Sequence, residues 1–318
     1  MKADGHILPA SPDIPIDLQV QRRLGDIGRL VSLPQTTFRL LSLLMDEDTS
    51  AKDLQAVIEI DPALTAKILS LSNSPIYATR EPVSTVQRAI TIIGFNELEV
   101  LAMGMGLAET FDIRKVPAGF DSQALWLHCL AVAWISRELA AVTGAADPGE
   151  AMIAGILHEL GTLILISKFP VNFQQILDLI NSGMNLRTAE TTLSLRHEVI
   201  GYHLARNWSL PEVFQNVILY HHDPERAGAF QKAASIVALA DNLAHKTGYE
   251  LKIENLEINL PVILKILSFS VDRLQIFVKK VLENIVKVEP LWGEMVNISK
   301  PSARKEGSSL TSIMNKRN

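Results

Sequence analysis

Apolar residues recur at three- and four-residue intervals along nearly the whole chain, and that spacing predicts helices rather than strands. Leu40, Leu41, Leu44 and Met45 form one stripe; Leu54, Val57 and Ile58 begin a second; Leu64, Ile68 and Leu71 make a third. In "DPALTAKILSLSNS" Asp61 stands at a helix N-cap position with Pro62 in the first turn, a pairing suited to a helix start. Leu125, His128, Val132 and Ile135 share one face of a helix that opens near residue 124. Glycine, proline and Asx residues break the pattern near 46–50, 73–83, 143–149, 181–185 and 222–228. Helical spacing returns from about Leu251 to Val288, with Leu264, Ile266 and Leu267, then Leu274, Phe277, Val278 and Val281. Pro290 and Gly293 then loosen it, and the folded body is expected to end near Ile298. Alternating strand patterns are scarce and no fixed-period repeat stands out, so the expected fold class is all-α.

The stretch "AGILHELGTLIL", residues 154–165, interrupts an apolar run with His158 and Glu159 side by side. Buried polar groups need partners, because an unpaired charge in an apolar interior is expensive. Other histidines supply candidates. Of the eight, His128, His158, His197, His221 and His222 lie on or beside predicted helices, and Asp241 follows on another. His6, in the leader, and His245, near a helix end, receive no role, and His203 is read as packing. Imidazole with carboxylate suits iron, manganese, zinc or nickel, and the lack of thiolate argues against a structural zinc. Adjacent residues can ligate one centre only where a helix end turns both inward, a requirement on His158–Glu159 and on His221–His222 alike.

Several chemistries are excluded. A zincin HExxH needs histidine at 162, where the residue is Thr162. No GxSxG elbow, Walker A loop or GxGxxG is present. The one cysteine, Cys129, rules out an intramolecular disulfide framework and a CxxC site. With 318 residues, 47% hydrophobic and 20% charged, the chain can bury a sizeable core. The net charge of −5, with both signs mixed, speaks against nucleic acid as a partner. The exception is the tail from Ser299, with five basic residues and one acidic among Ser, Gly and Pro, which is expected to be disordered. No signal peptide and no uninterrupted apolar run of about 18 residues is evident, so the expectation is a cytoplasmic protein with no membrane partner.

These features resemble, in ordered series, the HDOD domain, a branch related to the HD phosphohydrolases. The series runs "LPQTTFRLLSLL", "DPALTAKILSLSNSPIY", "AITIIGFNEL", "LWLHCLAVAWISRELA", "EAMIAGILHELGTLIL", "RHEVIGYHLARNWSLPEVFQNVILYHHDPE" and "IVALADNLAH". With a lead-in helix it spans roughly residues 26–245, about two thirds of the chain. The resemblance implies an N-terminal helical bundle (26–120) packed on an HD-like bundle (121–245). A leader (1–25), a C-terminal helical extension (246–298) and the basic tail (299–318) flank them. It also implies a divalent-metal ligand set of His128, His158, Glu159, His197, His221, His222 and Asp241.

Three departures from the catalytic pattern matter. Glu159 replaces the aspartate of the doublet and is one methylene longer. Thr162 stands where catalytic relatives often carry a lysine, which removes an electrostatic contribution to phosphate chemistry. The GYP signature is absent, and Ala124 offers no further ligand. The implied function is therefore a non-catalytic regulatory signalling module that binds a partner protein, or a phosphate-containing small ligand, and retains a divalent metal. Any signal would arrive through a separate chain, since no receiver or cyclase segment is attached. The alternative is a metal-dependent phosphohydrolase of the HD superfamily.

Overall fold

The computed structural model describes residues 33–298 except 45, 47, 78, 80, 112–115, 118 and 254–257. The leader, the first part of the lead-in segment and the basic tail lie outside the described residues, as does Met45. Fifteen α-helices and no strand occur among the described residues.

The first layer holds α1 (Gln35–Leu44), α2 (Ala51–Ile60), α3 (Pro62–Ser72), α4 (Val86–Ile93) and α5 (Phe95–Thr110). The Asp61 carboxylate accepts from the Ala63 and Leu64 amides at 2.9 and 3.0 Å, so the cap at the start of α3 is present. Leu40, Leu54, Ile58, Ile68 and Leu71 are fully buried, as their spacing predicts. α4 and α5 meet at 114° through Gly94, whose φ of +95° a side chain would strain.

The second layer holds α6 (Ser122–Thr143), α7 (Pro148–Leu157), α8 (Leu160–Lys168), α9 (Pro170–Asn181) and α10 (Leu186–Thr192). It continues with α11 (His197–Asn207), α12 (Glu212–Tyr220) and α13 (Gln231–Lys246). α6 packs along α7 and α13, while α8 and α12 lie against α11. α5 touches α6 and so joins the layers. Short α14 (Leu260–Ile266) leads to α15 (Val271–Ile298), which lies against α3, α5 and α6 and straps the two layers together.

α15 departs from the sequence expectation. It runs on through Pro290 and Gly293, although an internal proline removes a backbone hydrogen bond. Leu291 and Trp292 are buried beside it, and Trp292 rests edge-on against Trp134 and Tyr249. Their packing offsets the loss.

Two stretches, Ser122–Thr143 and Pro148–Lys168, are long and apolar enough on average to cross a membrane, which a count of uninterrupted apolar residues does not register. Their apolar windows are 72% and 89% buried within the helical body. The second is broken between α7 and α8, at His158 and Glu159.

Candidate metal centre

That break answers the geometric requirement on the doublet. α7 ends at Leu157 and α8 begins at Leu160, with Glu159 in a non-helical conformation between them. Side chains adjacent in sequence can then face one centre. The second doublet uses the same device, since α12 stops at Tyr220 and His221 and His222 follow in the turn. His128 comes from the middle of α6, His197 from the first turn of α11, and Asp241 from α13. All seven residues predicted from sequence converge, and only His222 among them is more than marginally exposed.

Each inner imidazole is oriented by a bond on its far side. His128 Nδ1–H donates to the Tyr249 carbonyl at 2.8 Å, His158 Nδ1–H to the Gly155 carbonyl at 2.7 Å, and His221 Nδ1–H to the Ile218 carbonyl at 2.8 Å. His197 Nδ1–H donates to the Glu190 carboxylate at 2.8 Å. A carbonyl can only accept, so these bonds fix the tautomers and leave each Nε2 facing inward. Outer acceptors on ligand histidines are the usual companions of a metal.

The inner atoms are close. His128 Nε2 lies 3.2 Å from His158 Nε2 and 3.2 Å from Asp241 Oδ1. His197 Nε2 lies 3.4 Å from His221 Nε2 and 3.1 Å from His222 Nε2. Glu159 Oε1 is 3.8 Å from the Nε2 atoms of both His158 and His197 and 4.0 Å from that of His221. Two inward lone pairs at such range repel unless a proton or a cation lies between them. Ligands held about 2.0–2.1 Å from one ion sit roughly 3–3.4 Å apart, so the residues fit a divalent metal. Their ligand atoms fall into two separate sets, Glu159 with His197, His221 and His222, and His128 with Asp241 and His245; a third set, Glu190 and Glu198 with His197, shares His197 with the first.

The surroundings favour positive charge. Burial works against protonation of His197, but Glu190, Glu198 and Glu159 outweigh it and hold its pKa well above the ordinary range. Burial raises Glu190 despite His197 beside it. Burial likewise opposes ionisation of Glu198, yet His197, His222 and Arg196 keep its carboxyl well below the usual range. Arg196 supplies one permanent cation, 2.8 Å from Glu198.

Sequence reasoning missed three members of this environment. Glu190 and Glu198 are buried and flank His197. His245, which received no role from its place in the sequence, stands beside the cluster, its Nε2 3.4 Å from Asp241 Oδ1. The i,i+4 spacing of Asp241 and His245 carried that signal. His203, by contrast, stays outside the cluster and stacks edge-on to Tyr202, as a packing residue would.

The fold and the cluster together define an all-α domain built around a buried histidine–carboxylate centre. The HDOD domain family matches residues 30–224 of the chain, and the chain belongs to that family. Asp241 and His245 lie beyond the matched segment. An HDOD domain protein of unknown function from Geobacter sulfurreducens aligns at a TM-score of 0.69 and 24% identity, over 88% of this chain and 99% of its own. A candidate phosphohydrolase from Shewanella amazonensis SB2B aligns at a TM-score of 0.67 and 25% identity, over 87% of this chain and 98% of its own. An uncharacterised protein from Treponema pallidum (strain Nichols) is 28% identical over 242 residues, 72% of this chain. This chain spans 45% of that relative's length.

Proposed function

We propose that the protein is a regulatory signalling module of the HDOD type that does not turn over substrate. Its helical body is clasped by a buried divalent metal, and it acts by binding a partner protein, with a phosphate-containing small ligand as a second class of effector. The observation that carries this reading is the burial of six of the seven candidate ligands, with His222 alone partly exposed. His128, His158, Glu159, His197, His221 and Asp241 are each no more than 1% exposed, whereas a catalytic metal needs an open coordination position for substrate. Thr162, where catalytic relatives often carry lysine, is itself buried and brings no cation to a phosphate.

His128, His158, Glu159, His197, His221, His222 and Asp241 would hold the ion, of the class iron, manganese, zinc or nickel. A bound ion supplies positive charge that offsets Glu159 and Asp241 and ties α6, the α7–α8 break, α11, α12 and α13 to one point. The outer bonds from Tyr249, Gly155, Ile218 and Glu190 hold the rings ready for it.

Elemental analysis of protein purified without oxygen, paired with a bis(p-nitrophenyl) phosphate assay, tests the proposal. The expected result is stoichiometric transition metal and hydrolysis no faster than that of His158→Ala. Turnover at ordinary enzyme rates, about 1–1,000 per second, lost in His158→Ala, overturns it in favour of a phosphohydrolase. The description of the Shewanella relative is the observation on that side.

A further inference from the structure

Asp241 and His245 stand one turn apart on α13, and both approach His128. The His128 and His245 rings lie 5.0 Å apart, edge to face. One ligand atom from each of the three residues falls within 4.8 Å of the others. Asp241 is fully buried, and neither of its carboxylate oxygens accepts a hydrogen bond. A carboxylate desolvated to that degree needs a cation or a set of donors. Here it has imidazole nitrogens at 3.2 and 3.4 Å, both on the side of Oδ1. These separations match the edges of a coordination shell of about 2.0–2.2 Å radius.

Glu159 belongs with a different set. Its Oε1 groups with His197, His221 and His222 rather than with His128, Asp241 and His245. His158 Nε2 stands between the two sets, 3.2 Å from that of His128 and 3.8 Å from Glu159 Oε1.

We propose that His245 is a metal ligand, the third protein donor of a pocket made with His128 and Asp241. This pocket takes one divalent ion, and the neighbouring pocket of Glu159, His197, His221 and His222 takes another. The inference rests on the metal-clasp reading above and extends it by a residue and an ion. The competing account of the same distances is a protonated His245 paired with Asp241 along one helix face, which needs no metal.

Cobalt(II) titration of the full chain, stripped by chelator, separates the two accounts. Equilibrium dialysis gives the number of ions, and the visible absorption of cobalt reports the geometry of each. The expected result is two ions per chain in the unaltered protein and in His203→Gln, which loses a histidine outside the cluster. His245→Gln then retains one tightly bound ion, weakens the other at least tenfold, and loses one component of the spectrum. His221→Gln keeps the component that His245→Gln loses. Two ions bound to His245→Gln with unchanged affinity and spectrum overturn the proposal, as does a single ion in the unaltered chain that His245→Gln leaves untouched; the clasp itself survives both results. No cobalt uptake by the unaltered chain removes the clasp and the proposal together. Circular dichroism shows whether His245→Gln is folded. If it is not, an anomalous difference map of cobalt-loaded unaltered protein decides the matter. An ion at ligand distance from His245 Nε2 supports the proposal, and its absence there overturns it.

Discussion

α8 and α11 cross so closely that one methyl group tests the arrangement of the whole site. A Cβ built on Gly161 would stand 1.9 Å from the His197 carbonyl oxygen, 2.6 Å from its carbon and 2.9 Å from the His197 Cα. Gly201 faces the same crossing, its own Cβ falling 2.9 Å from the Gly161 nitrogen. Gly161→Ala therefore requires the two helices to separate by about 1.5 Å to regain ordinary contact. Every clashing atom is backbone, so no rotamer change can absorb the strain. Overpacking typically costs about 1–3 kcal/mol, and this substitution is expected at the upper end, a large share of a typical stability of about 5–15 kcal/mol. The displaced residue is His197 itself. Metal–ligand distances tolerate only about 0.2 Å, so metal affinity should fall at least tenfold. Urea unfolding and cobalt titration read the two effects separately. Gly293→Ala is the control, because its Cβ meets nothing within 4 Å and it sits inside α15. That change should stabilise the protein by up to about 1 kcal/mol. If Gly161→Ala shifts stability by less than about 0.5 kcal/mol and leaves affinity intact, the close crossing is wrong.

Two further perturbations probe the surroundings of the cluster. Glu190→Gln keeps the size of the side chain but removes the charge that holds His197 Nδ1–H; losses of outer partners of this kind typically weaken metal binding by about 10–100-fold, and an unchanged dissociation constant in dialysis would contradict that role. His203 is depressed to about 4, by burial first and Arg206 second. Its folded pKa thus lies below the unfolded value of about 6.5, so the unfolded chain takes up the proton first and stability falls as pH drops from about 6.5 to 4. The whole shift would correspond to about 3.4 kcal/mol, but His203 is only partly buried, and screening reduces this to about 1–2 kcal/mol. His203→Gln should lose that much less stability than the parent between pH 7 and pH 4.5 in denaturant titrations, and equal losses in both proteins would refute the assignment.

Legibility in the sequence divides by the range of the interaction. The start of α3 is written locally in Asp61 and Pro62, and the buried stripe Leu125–His128–Val132–Ile135 in a spacing of three and four. The doublets were legible as a condition, that a helix must end where they stand, and the chain breaks at both. Glu190 was not legible as the holder of His197. Its approach depends on the tight return between α10 and α11, where Ser194 takes a φ of +53° and the Leu195 amide donates to the Glu190 carbonyl. The glycine crossing of α8 and α11 was equally silent, since a missing side chain carries no periodic signal. His245 lay between these cases. Its spacing from Asp241 was visible, but its relation to His128, over a hundred residues away, exists only in the folded chain.

The apolar character of the helices and the chemistry of the cluster explain each other. α6 and the α7–α8 pair carry average hydropathy high enough for a membrane, yet most of their apolar windows is buried inside the helical body. Four carboxylates, Glu159, Glu190, Glu198 and Asp241, are buried there at 2% exposure or less; the Arg196 guanidinium lies 2.8 Å from Glu198, and Arg187 acts on Glu190 and Glu198 from further out. Electrostatic interactions strengthen as water is excluded, and so does the penalty for leaving charge unbalanced. Protonation of His197 balances part of that charge in the absence of metal. Divalent ions would balance more of it while joining helices that otherwise meet through apolar contacts. On the reading proposed above, metal binding and folding are then one equilibrium. On the same reading an ion held among ligands this buried takes no substrate, and a partner protein would meet the outer helical surfaces. Chelation should therefore lower the thermal midpoint before it changes any binding property of those surfaces.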